Sequence, residues 1–420
     1  FWLKFAISEA FSQIAYILFL HSTMAGHIGQ AYRLVLLLLQ IAQSAGIIRT
    51  IRATGHEAAF AEFVAAHSRE FEAGSEEYAR RLAVFARRRS EIALMNGQPE
   101  QLWEAAVNAL ADRTDAELSQ LRGWKGGIRA PGSAAGSGVG ASLVRRRSSR
   151  ELPVEKDWDV ANTRFIRNQG GCGSCWAIAA TTVLAAHSEL YADNRSFSTQ
   201  ELVECVPNPH KCGGSGGCEG ATAELAFQYV AHHGVATVQE NPYAGMNLLG
   251  CQMPISEDEQ ALVAEYDSTS FHAAGSAGLA LGMQGWELLP SNREDPLKTA
   301  LVDLGPVAVS VAANDKFMFY SAGIFDDCAW EINHAVTLVG YGYDTQNEKA
   351  FWKIQNSWGD DWGENGKMRI LRRDDEEKHC GIDKQPEMGT GCEGGPKQVE
   401  VCGTCGILYD SVVPHFTSAQ

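Results

Sequence analysis

The sequence predicts an α+β protein whose main part has two lobes and follows a separate helical segment. After residue 151 the helical patterns come first and the strand patterns later, which argues against alternating βαβ units. A stretch rich in glycine, alanine and serine separates this part from the segment before it. All eleven cysteines fall after residue 170, and 45% of the 420 residues are hydrophobic, enough for a sizeable core.

The first 45 residues are interpreted as segments outside the folded protein. Residues 1–23 precede the first plausible start, Met24, and are interpreted as a non-native or untranslated leader. Residues 24–45 contain a basic residue, a short apolar run and then small residues, which is typical of a signal peptide. The alternative is a membrane anchor, but polar residues interrupt the apolar stretch well before the roughly 20 residues that a spanning helix needs.

Residues 46–125 are predicted to be helical. Aromatic and aliphatic residues recur at spacings of three and four, first over residues 60–71 and again over 78–95. Residues 126–150 have too few large apolar side chains to pack, so we expect a flexible linker there. The linker ends in a basic cluster at 145–150, which favours proteolytic cleavage on an exposed tether.

Charge and cysteine content narrow the class of protein. A net charge of −16 argues against nucleic-acid binding, which needs a basic surface. The acidic residues concentrate in 151–420, whereas 46–150 is weakly basic, so the two parts could attract each other; an acidic surface that only maintains solubility is the alternative. The clustered cysteines indicate disulfides formed in an oxidising compartment, and their odd number leaves at least one unpaired. No cofactor or metal ion is expected.

The main part divides into helical and strand patterns. Apolar, alanine-rich residues predict a buried helix over 176–191, a capping-box pattern at 198–201 predicts the start of a second, and a third is predicted over 221–232. The predicted strands follow at 307–311, 335–341, 350–354 and 367–371.

Cys175 is the candidate nucleophile. It follows a glycine-rich turn and begins the predicted buried helix, where the positive end of the helix dipole favours a thiolate. A thiolate is the reactive form for acyl transfer. From this segment alone two alternatives stay open, because Cys172 and Cys175 form a C-x-x-C pair that could be redox-active or bind a metal, and either residue could be purely structural.

His334 and Asn356 are the candidate base and the residue that orients it. His334 stands at the head of one predicted strand, and Asn356 with Trp358 follows another. A single histidine is more often a surface or core residue. A cysteine, a histidine, an asparagine and a tryptophan in three separate strand-end or helix-start motifs make a chance coincidence improbable.

These motifs resemble those of the papain and cathepsin family of cysteine peptidases, in particular its cathepsin L-like members. Gln169 precedes Cys-Gly-Ser-Cys-Trp-Ala, and Asn-His-Ala at 333–335 and Asn-Ser-Trp-Gly at 356–359 follow in the same order. The resemblance identifies 57–124 as an inhibitory propeptide and 152–385 as the enzyme.

The propeptide part of the resemblance rests on a helical motif. Its members occur at the family's spacing and are Glu77, Arg81, Phe85, Ile92 and Asn96. Arg88 stands where the family has a central asparagine, and residues 108–112 resemble the second propeptide motif. The resemblance implies that this segment blocks the cleft until it is removed at low pH.

The resemblance also implies the fold and the catalytic roles. Residues 151–420 should have a helical left lobe and an antiparallel, β-barrel-like right lobe. Cys175 should attack the scissile carbonyl, and His334 should form a thiolate–imidazolium pair with it and protonate the leaving amine. Asn356 should hold the imidazole and Trp358 should shield that bond. The side chain of Gln169 and the backbone N–H of Cys175 should form the oxyanion hole.

Partners and location follow from the same resemblance. It implies polypeptide substrates, a monomer, the propeptide as an intramolecular inhibitor and cystatin-like inhibitors as further partners. It also implies the secretory pathway, with a lysosome, a vacuole or the extracellular space as destination. The glycosylation sequon at Asn194 agrees with that route.

The cysteine pairing implied by the family leaves Cys175 free. The expected disulfides are Cys172–Cys218, Cys205–Cys251 and Cys328–Cys380. The phrase Cys-Gly-Ile occurs at both Cys380 and Cys405, so either could pair with Cys328, and we favour Cys380. Cys212, Cys392, Cys402 and Cys405 then remain; a zinc site at Cys402-x-x-Cys405 is the alternative to further disulfides, which are favoured in a secreted chain.

The sequence departs from the family pattern in the cleft. Gly220 is kept, but Ala221 replaces a glycine that lets substrate backbone pair with the wall. The floor of the pocket for the substrate's second residue is expected near Gln385, which predicts a neutral polar pocket with Gly220, Ala221 and Trp358 nearby. Residues 255–295 form a longer stretch than the family norm and receive no role.

The function predicted from sequence is therefore a cysteine endopeptidase made as an inhibited precursor. Endopeptidase activity is preferred because the paired-histidine insertion of some exopeptidase relatives is not evident. One alternative is a catalytically inert binding protein on the same fold, but the substituted nucleophile or base that would mark such a protein is not seen here. The other alternative is a peptide ligase that uses the same acyl-enzyme.

Overall fold

The computed structural model describes residues 55–122, 151–248, 250–251 and 271–417. The segments predicted to be the leader, the signal peptide and the linker lie outside these residues. The helices are α1 over 55–66, α2 (Glu76–Met95), α3 (Asp115–Leu121), α4 (Ala161–Arg164), α5 (Cys175–Tyr191), α6 (Thr199–Cys205), α7 (Ala223–His233), α8 (Ser276–Ala280), α9 (Glu294–Asp303) and α10 (Asp315–Met318).

The strands lie mostly in the second half of the chain. They are β1 (Trp103–Ala105), β2 (Lys156–Asp157), β3 (Phe271–Ala273), β4 (Met283–Leu288), β5 (Val307–Val311), β6 (Tyr320–Phe325), β7 (His334–Asp344), β8 (Lys349–Gln355), β9 (Lys367–Arg372), β10 (Cys380–Asp383), β11 (Val399–Cys402) and β12 (Ser411–Phe416). The predicted helix over 176–191 and the four predicted strands are all confirmed. The part of 255–295 that the structure describes adds β3, α8 and β4 and begins α9.

The described residues divide into two units, a first that ends at Tyr78 and a second that begins at Ala79. In the described part of the first unit, Phe60 of α1 contacts Tyr78 at the start of α2, and their rings lie 5.0 Å apart, edge to face. Phe63 stacks on Phe60 at 6.0 Å. The apolar spacing seen in the sequence therefore produces a packed face on this helix.

The second unit contains one large sheet and a group of helices. The strand order is β1-β6-β9-β8-β7-β5-β12-β4-β3, and β2 pairs with β7. All its pairs are antiparallel except β6 with β9, and β10 and β11 form a separate antiparallel hairpin. In the described part of 151–420, helices α4 to α7 precede strands β3 to β12, and the short helices α8 to α10 lie between the first of those strands, so the predicted α+β class is confirmed.

Helix α5 is the centre of the helical lobe. Residues from Cys175 to Ser188 along it are all buried. A helix that is apolar on every side needs neighbours all round, and α5 packs against α7, β7 and β12. This burial fixes the position of Cys175 at the first turn of the helix. Among the described residues, no helix is long and apolar enough to cross a membrane.

The end of the expected propeptide is built into the second unit. Strand β1 adds to the edge of the sheet beside β6, and the Asn108 side chain donates to the backbone O of Met318 at 2.9 Å. Helix α3 begins with a capping box in which Thr114 and Glu117 bond each other's backbone N–H. Leu118 and Leu121 are buried on its inner face.

Two ion-pair clusters join α2 to α3. Arg81 forms a bidentate pair with Glu117 at 2.6 and 2.7 Å. Arg88 is 2% exposed and pairs with Asp115 on α3 and with Glu91 on its own helix. The arginine that replaces the family's expected asparagine therefore makes a buried link to α3.

The Arg81–Glu117 pair should hold α3 until strongly acid pH. Burial raises the pKa of Glu117, but Arg81 and the hydrogen bonds of Thr114 outweigh it and lower that pKa to about 2 from an ordinary 4.5. A carboxyl group with a lowered pKa stabilises the folded state above its ordinary pKa, and the contribution is lost as pH falls towards about 2. Glu117→Gln should increase amide hydrogen exchange in residues 114–121 at neutral pH.

The matched control for this change is Glu104→Gln, because Glu104 is an exposed acid on β1. The control should leave exchange in α3 unchanged. In the wild-type protein, the protection of α3 amides relative to their intrinsic exchange rates should begin to fall only below about pH 4.5. Equal exchange in Glu117→Gln and wild type at neutral pH would contradict the role given to this ion pair.

Candidate active site

The candidate nucleophile and base come from different elements and meet in one pocket. Cys175 begins α5, and His334 begins β7, two elements that pack together. Their residues are 4% and 2% exposed. The backbone of Ala335, next to His334, lies close enough to the Cys175 sulfur to act against the rise in its pKa. The pocket is lined by Cys175, His334, Gly220, Ala221, Ser310, Met388 and other residues.

The imidazole of His334 is held from two sides. Its Nε2 lies 2.8 Å from Oδ1 of Asn356, which follows β8. The Trp358 ring stacks on it with centroids 4.6 Å apart and planes 24° apart. Its Nδ1 is buried and makes no hydrogen bond to any described residue. The asparagine thus occupies one ring nitrogen and leaves the other for a reacting group, as the sequence analysis expected.

Burial keeps both groups neutral in this structure. Loss of solvent raises the pKa of Cys175 to about 11, although N–H groups of Ala335 and the first turn of α5 act in the opposite direction. Loss of solvent also lowers the pKa of His334 to about 4; its bond to Asn356 opposes this, and the nearby charge of Arg122 adds to it. The helix dipole invoked from sequence is therefore outweighed by burial.

Gln169 lies beside this pair with its side chain fully bonded. Its Oε1 accepts from Ser357 Oγ at 2.6 Å and from Trp358 Nε1 at 3.1 Å. These two donors turn its NH₂ group the other way. That group donates to the backbone O of Leu121 at 2.8 Å and of Cys172 at 2.8 Å. The predicted oxyanion donor is therefore engaged by a carbonyl of the expected propeptide.

Arg122 extends the contact between the expected propeptide and the site into the pocket. It follows α3 directly and lines the pocket together with Cys175 and His334. Its guanidinium donates to the backbone O of Ala313 at 3.0 Å and lies 3.6 Å from Asp315. The sequence analysis did not identify Arg122. The sequence feature that could have identified it is its position directly after the apolar Leu121, the last residue of α3.

Five disulfides account for ten cysteines and leave Cys175 free. Cys172–Cys218 and Cys205–Cys251 are confirmed. Because Cys172 is bonded to Cys218, a C-x-x-C redox or metal site with Cys175 does not form. The other three pairs are Cys328–Cys405, Cys380–Cys402 and Cys212–Cys392.

The predicted pair Cys328–Cys380 is wrong. Cys380 lies directly opposite Cys402 in the β10–β11 hairpin, and the two bond across the strands. Cys405 returns to the sheet, where its backbone O accepts from Ala312 N at 2.9 Å, and it bonds Cys328. With Cys402 and Cys405 both in disulfides, the zinc alternative is also excluded for this pair. No group of three possible metal ligands occurs among the described residues.

The predicted pocket floor at Gln385 depended on that wrong pairing. Gln385 is exposed and does not line the pocket. Met388 and Gly389 of the same segment do line it, together with Gly220 and Ala221. Gly220 has a φ of +94°, a conformation that favours glycine.

A pair of acids missed by sequence reasoning lies behind the pocket. Glu224 on α7 is 6% exposed and its carboxyl group contacts that of Asp410. Asp410 accepts from Ser310 Oγ at 2.6 Å, and Ser310 lines the pocket. Asp410 follows the second Cys-Gly-Ile phrase, the one that the sequence analysis did not favour as the partner of Cys328.

Comparison with known proteins places this site in context. A family model described as papain family cysteine protease matches residues 152–390. The senescence-specific cysteine protease SAG12 of Arabidopsis thaliana is 32% identical over 76% of this chain and 86% of its own length. Cathepsin S of Mus musculus is 30% identical over 75% and 85%.

Solved structures of precursors also match. The proform of the Amb a 11 cysteine protease, a ragweed pollen allergen, superposes with a TM-score of 0.62 at 25% identity and covers 87% of this chain and 96% of its own. A recombinant stem bromelain precursor gives a TM-score of 0.62 at 25% identity, with 87% of this chain and 100% of that chain covered.

The buried acid pair should make the protein less stable as pH rises. Burial first, and then the charge of Asp410, raise the pKa of Glu224 well above its ordinary 4.5. Above about pH 4.5 the unfolded chain releases this proton while the folded protein retains it, so stability falls as pH rises towards the native pKa. Glu224→Gln donates an amide N–H to Asp410 without needing that proton. Its melting temperature should exceed wild type at pH 7, by about 2–4 °C for each kcal/mol gained.

Both proteins should be compared in a Cys175→Ala background, which keeps the chain intact. At about pH 4 the advantage should vanish, because both states of the wild type are then protonated. Glu400→Gln, a change of the same kind on an exposed part of β11, should show no such pH-dependent difference. A Glu224→Gln protein that melts below wild type at pH 7 and matches it at pH 4 would reverse the expected sign.

Proposed function

Because the chain belongs to the papain family of cysteine proteases and is a peptidase precursor, we propose that Cys175 is its nucleophile and His334 its general base. One observation carries this proposal. The one cysteine outside the five disulfides lies beside a histidine whose Nε2 is held by Asn356 at 2.8 Å.

The proposed reaction proceeds through an acyl-enzyme. The Cys175 thiolate attacks the scissile carbonyl carbon, and the carbonyl oxygen becomes an oxyanion that accepts hydrogen bonds from Gln169 Nε2 and the Cys175 backbone N–H. The imidazolium of His334 then gives its proton to the leaving amine. Water, deprotonated by His334, attacks the thioester, and the carboxylic acid leaves with Cys175 regenerated.

Asn356 and Trp358 act on the orientation of His334. The Asn356 oxygen fixes which ring nitrogen carries a hydrogen, so that Nδ1 is the atom that exchanges protons with the thiol. Trp358 stacks on the imidazole and donates through Nε1 to Gln169. Trp358 thereby connects the base, His334, to the oxyanion donor, Gln169, and it excludes water from both side chains.

The propeptide inhibits by occupying the catalytic groups. The carbonyl of Leu121 engages Gln169 Nε2, the donor proposed for the oxyanion, and Arg122 lines the pocket together with His334. A cation close to an imidazole disfavours its protonation. Removal of the segment admits water and withdraws this charge, and both changes favour the thiolate–imidazolium pair.

The wider setting of the enzyme is part of the same proposal. Cleavage in residues 126–150 would separate the propeptide from a peptidase domain over 151–420. The five disulfides agree with synthesis in the secretory pathway and with a lysosomal, vacuolar or extracellular destination. The processed enzyme is proposed to act as a monomeric endopeptidase that cystatin-like proteins inhibit. An inert binding protein is disfavoured because the nucleophile and its base are both in place.

Substitution at the nucleophile and at the oxyanion donor tests the mechanism. Cys175→Ala should abolish cleavage of peptide substrates, and Gln169→Ala should lower kcat/KM by about 10²–10³ because one oxyanion donor is lost. Active-site concentration should be measured by iodoacetamide alkylation and peptide mapping, which should label Cys175. A processed Cys175→Ala protein that still cleaves peptides, or alkylation at another cysteine, would contradict the proposal.

The precursor should show a poorly reactive thiol. Because burial raises the pKa of Cys175 to about 11 and only the thiolate reacts, alkylation of the intact precursor should be slow at neutral pH and accelerate towards alkaline pH. Arg122→Gln should speed alkylation between about pH 5 and pH 8, since it removes a charge that lowers the pKa of His334. The control is Arg164→Gln, an exposed arginine paired with Asp159. Identical pH profiles for wild type and Arg122→Gln would exclude this role of Arg122.

A further inference from the structure

The loop that joins β10 to β11, residues 384–398, is tied to both lobes, and we call it the strap. At its base, the Cys380–Cys402 disulfide closes the hairpin. At its tip, Cys392 is bonded to Cys212, which lies in the loop after α6 in the helical lobe. The two cysteines of this tip pair are 180 residues apart. The strap therefore joins the two lobes covalently.

Backbone contacts dock the tip of the strap along the loop that carries Cys212. The N–H of Gly213 donates to the O of Gly391 at 2.9 Å, and the N–H of Glu393 donates to the O of His210 at 2.7 Å. Lys211 and Glu393 form an ion pair at 3.0 Å. The position of the tip therefore depends on main-chain hydrogen bonds as well as on the disulfide.

The base of the strap is anchored to the opposite wall of the cleft. Asp383, which ends β10, is fully buried, and its carboxylate accepts from the N–H of Ile332 at 3.2 Å and from the N–H of Gln385 at 2.8 Å. Ile332 lies two residues before His334. The strap thus leaves one wall beside the catalytic base and reaches the other wall at Cys212.

Gly389 fills the space between the walls. A Cβ atom on Gly213 would lie 2.5 Å from the O of Gly389 and 2.9 Å from that of Ala221. A Cβ atom on Gly389 would lie 2.0 Å from the O of Ile332 and 3.1 Å from the Cα of Asn333. Backbone from the strap is therefore in close contact with both walls, and glycine is required because no side chain fits.

The strap lies on the Gly220–Ala221 side of the pocket. Met388 and Gly389 line the same pocket as Cys175 and His334. The family resemblance implies that the part of the substrate before the scissile bond, its acyl half, pairs with the wall at Gly220 and Ala221. A peptide that continues along this wall meets Gly389 next, because Gly389 contacts Gly213 beside Ala221.

We propose that the strap closes the acyl side of the cleft and sets the length of substrate that it holds. The second residue before the scissile bond lies under Met388 and Gly389, and residues beyond it gain no contact with the wall. The enzyme accordingly selects peptides whose chain ends, or turns away from the wall, after this second residue. This inference rests on the proposed function, since it uses the same nucleophile and the same orientation of substrate.

A length series measures this closure. The processed full-length protein is assayed with fluorogenic peptides that share the scissile bond and carry one, two, three or four residues on the acyl side. The rate constant kcat/KM should rise from one residue to two and then stay level or fall. In a Cys212→Ser/Cys392→Ser variant the third residue should restore a gain on the order of tenfold, which corresponds to about 1.4 kcal/mol.

Two controls separate the strap from general effects on the fold. Cys205→Ser/Cys251→Ser removes a disulfide of the helical lobe that does not involve the strap, and its length profile should match wild type. Met388→Ala keeps every disulfide and should widen the pocket, so that a larger second residue is accepted relative to wild type. Melting curves and thiol titration report the folded, active fraction of each variant.

The outcomes distinguish the inference from the proposed function. Wild-type kcat/KM that continues to rise through the third and fourth residues would overturn the closure, whatever the variants do. A flat profile that persists in the strap variant, with unchanged selectivity in Met388→Ala, would also overturn it. If wild type cleaves none of the peptides although Cys175 is alkylated after processing, the proposed function itself fails and the inference falls with it.

Discussion

The packing of α5 against β7 is the contact on which the candidate site depends. Cys175 is the first residue of α5 and His334 is the first residue of β7, so the position of each is set by the burial of the whole element behind it. Only a few neighbouring residues are then needed to orient the two side chains. Asn356 at the end of the neighbouring strand holds His334 at 2.8 Å, and Trp358 covers the imidazole. A shift between helix and sheet would separate the two groups even if every residue of the motifs were retained.

The same burial explains how an assembled site can be inactive. In a dry pocket the thiol keeps its proton and the imidazole takes none up, because burial raises the pKa of Cys175 and lowers the pKa of His334. Arg122 strengthens this state by its charge, and the carbonyl of Leu121 engages Gln169. Inhibition therefore does not require a distorted site. In the proposed mechanism a cover that excludes water and carries a positive charge is sufficient, and the residues at the end of α3 supply both.

The sequence was sufficient for features encoded by short motifs and insufficient for those set by distant partners. The α+β class and the buried helix behind Cys175 follow from periodicity and from the order of the elements, and the meeting of Cys175 with His334 and Asn356 follows from the resemblance carried by their motifs. Two disulfides also follow from the resemblance. The pairing of Cys328 did not, because Cys-Gly-Ile occurs twice and the choice between Cys380 and Cys405 depends on a hairpin whose cross-strand register is not written in either phrase. Because Cys380 was chosen as the partner, the pocket floor was expected at Gln385. The same choice left Asp410 unnoticed, since Asp410 follows the Cys-Gly-Ile sequence at Cys405, the one that returns to the sheet.

The same hairpin explains why cysteines are concentrated near the end of the chain. An insertion between two strands would normally cost little and stay loosely attached, because loop-closure entropy grows slowly with length. Here three disulfides bind its surroundings: Cys380–Cys402 at its base, Cys328–Cys405 just beyond it and Cys212–Cys392 at its tip. A cross-link over 180 residues restricts the unfolded chain strongly in the chain-entropy account. It also limits any opening of the two lobes at the end of the cleft that carries Gly389, so the element that stabilises the lobes against each other is the one that shapes the acyl side of the pocket.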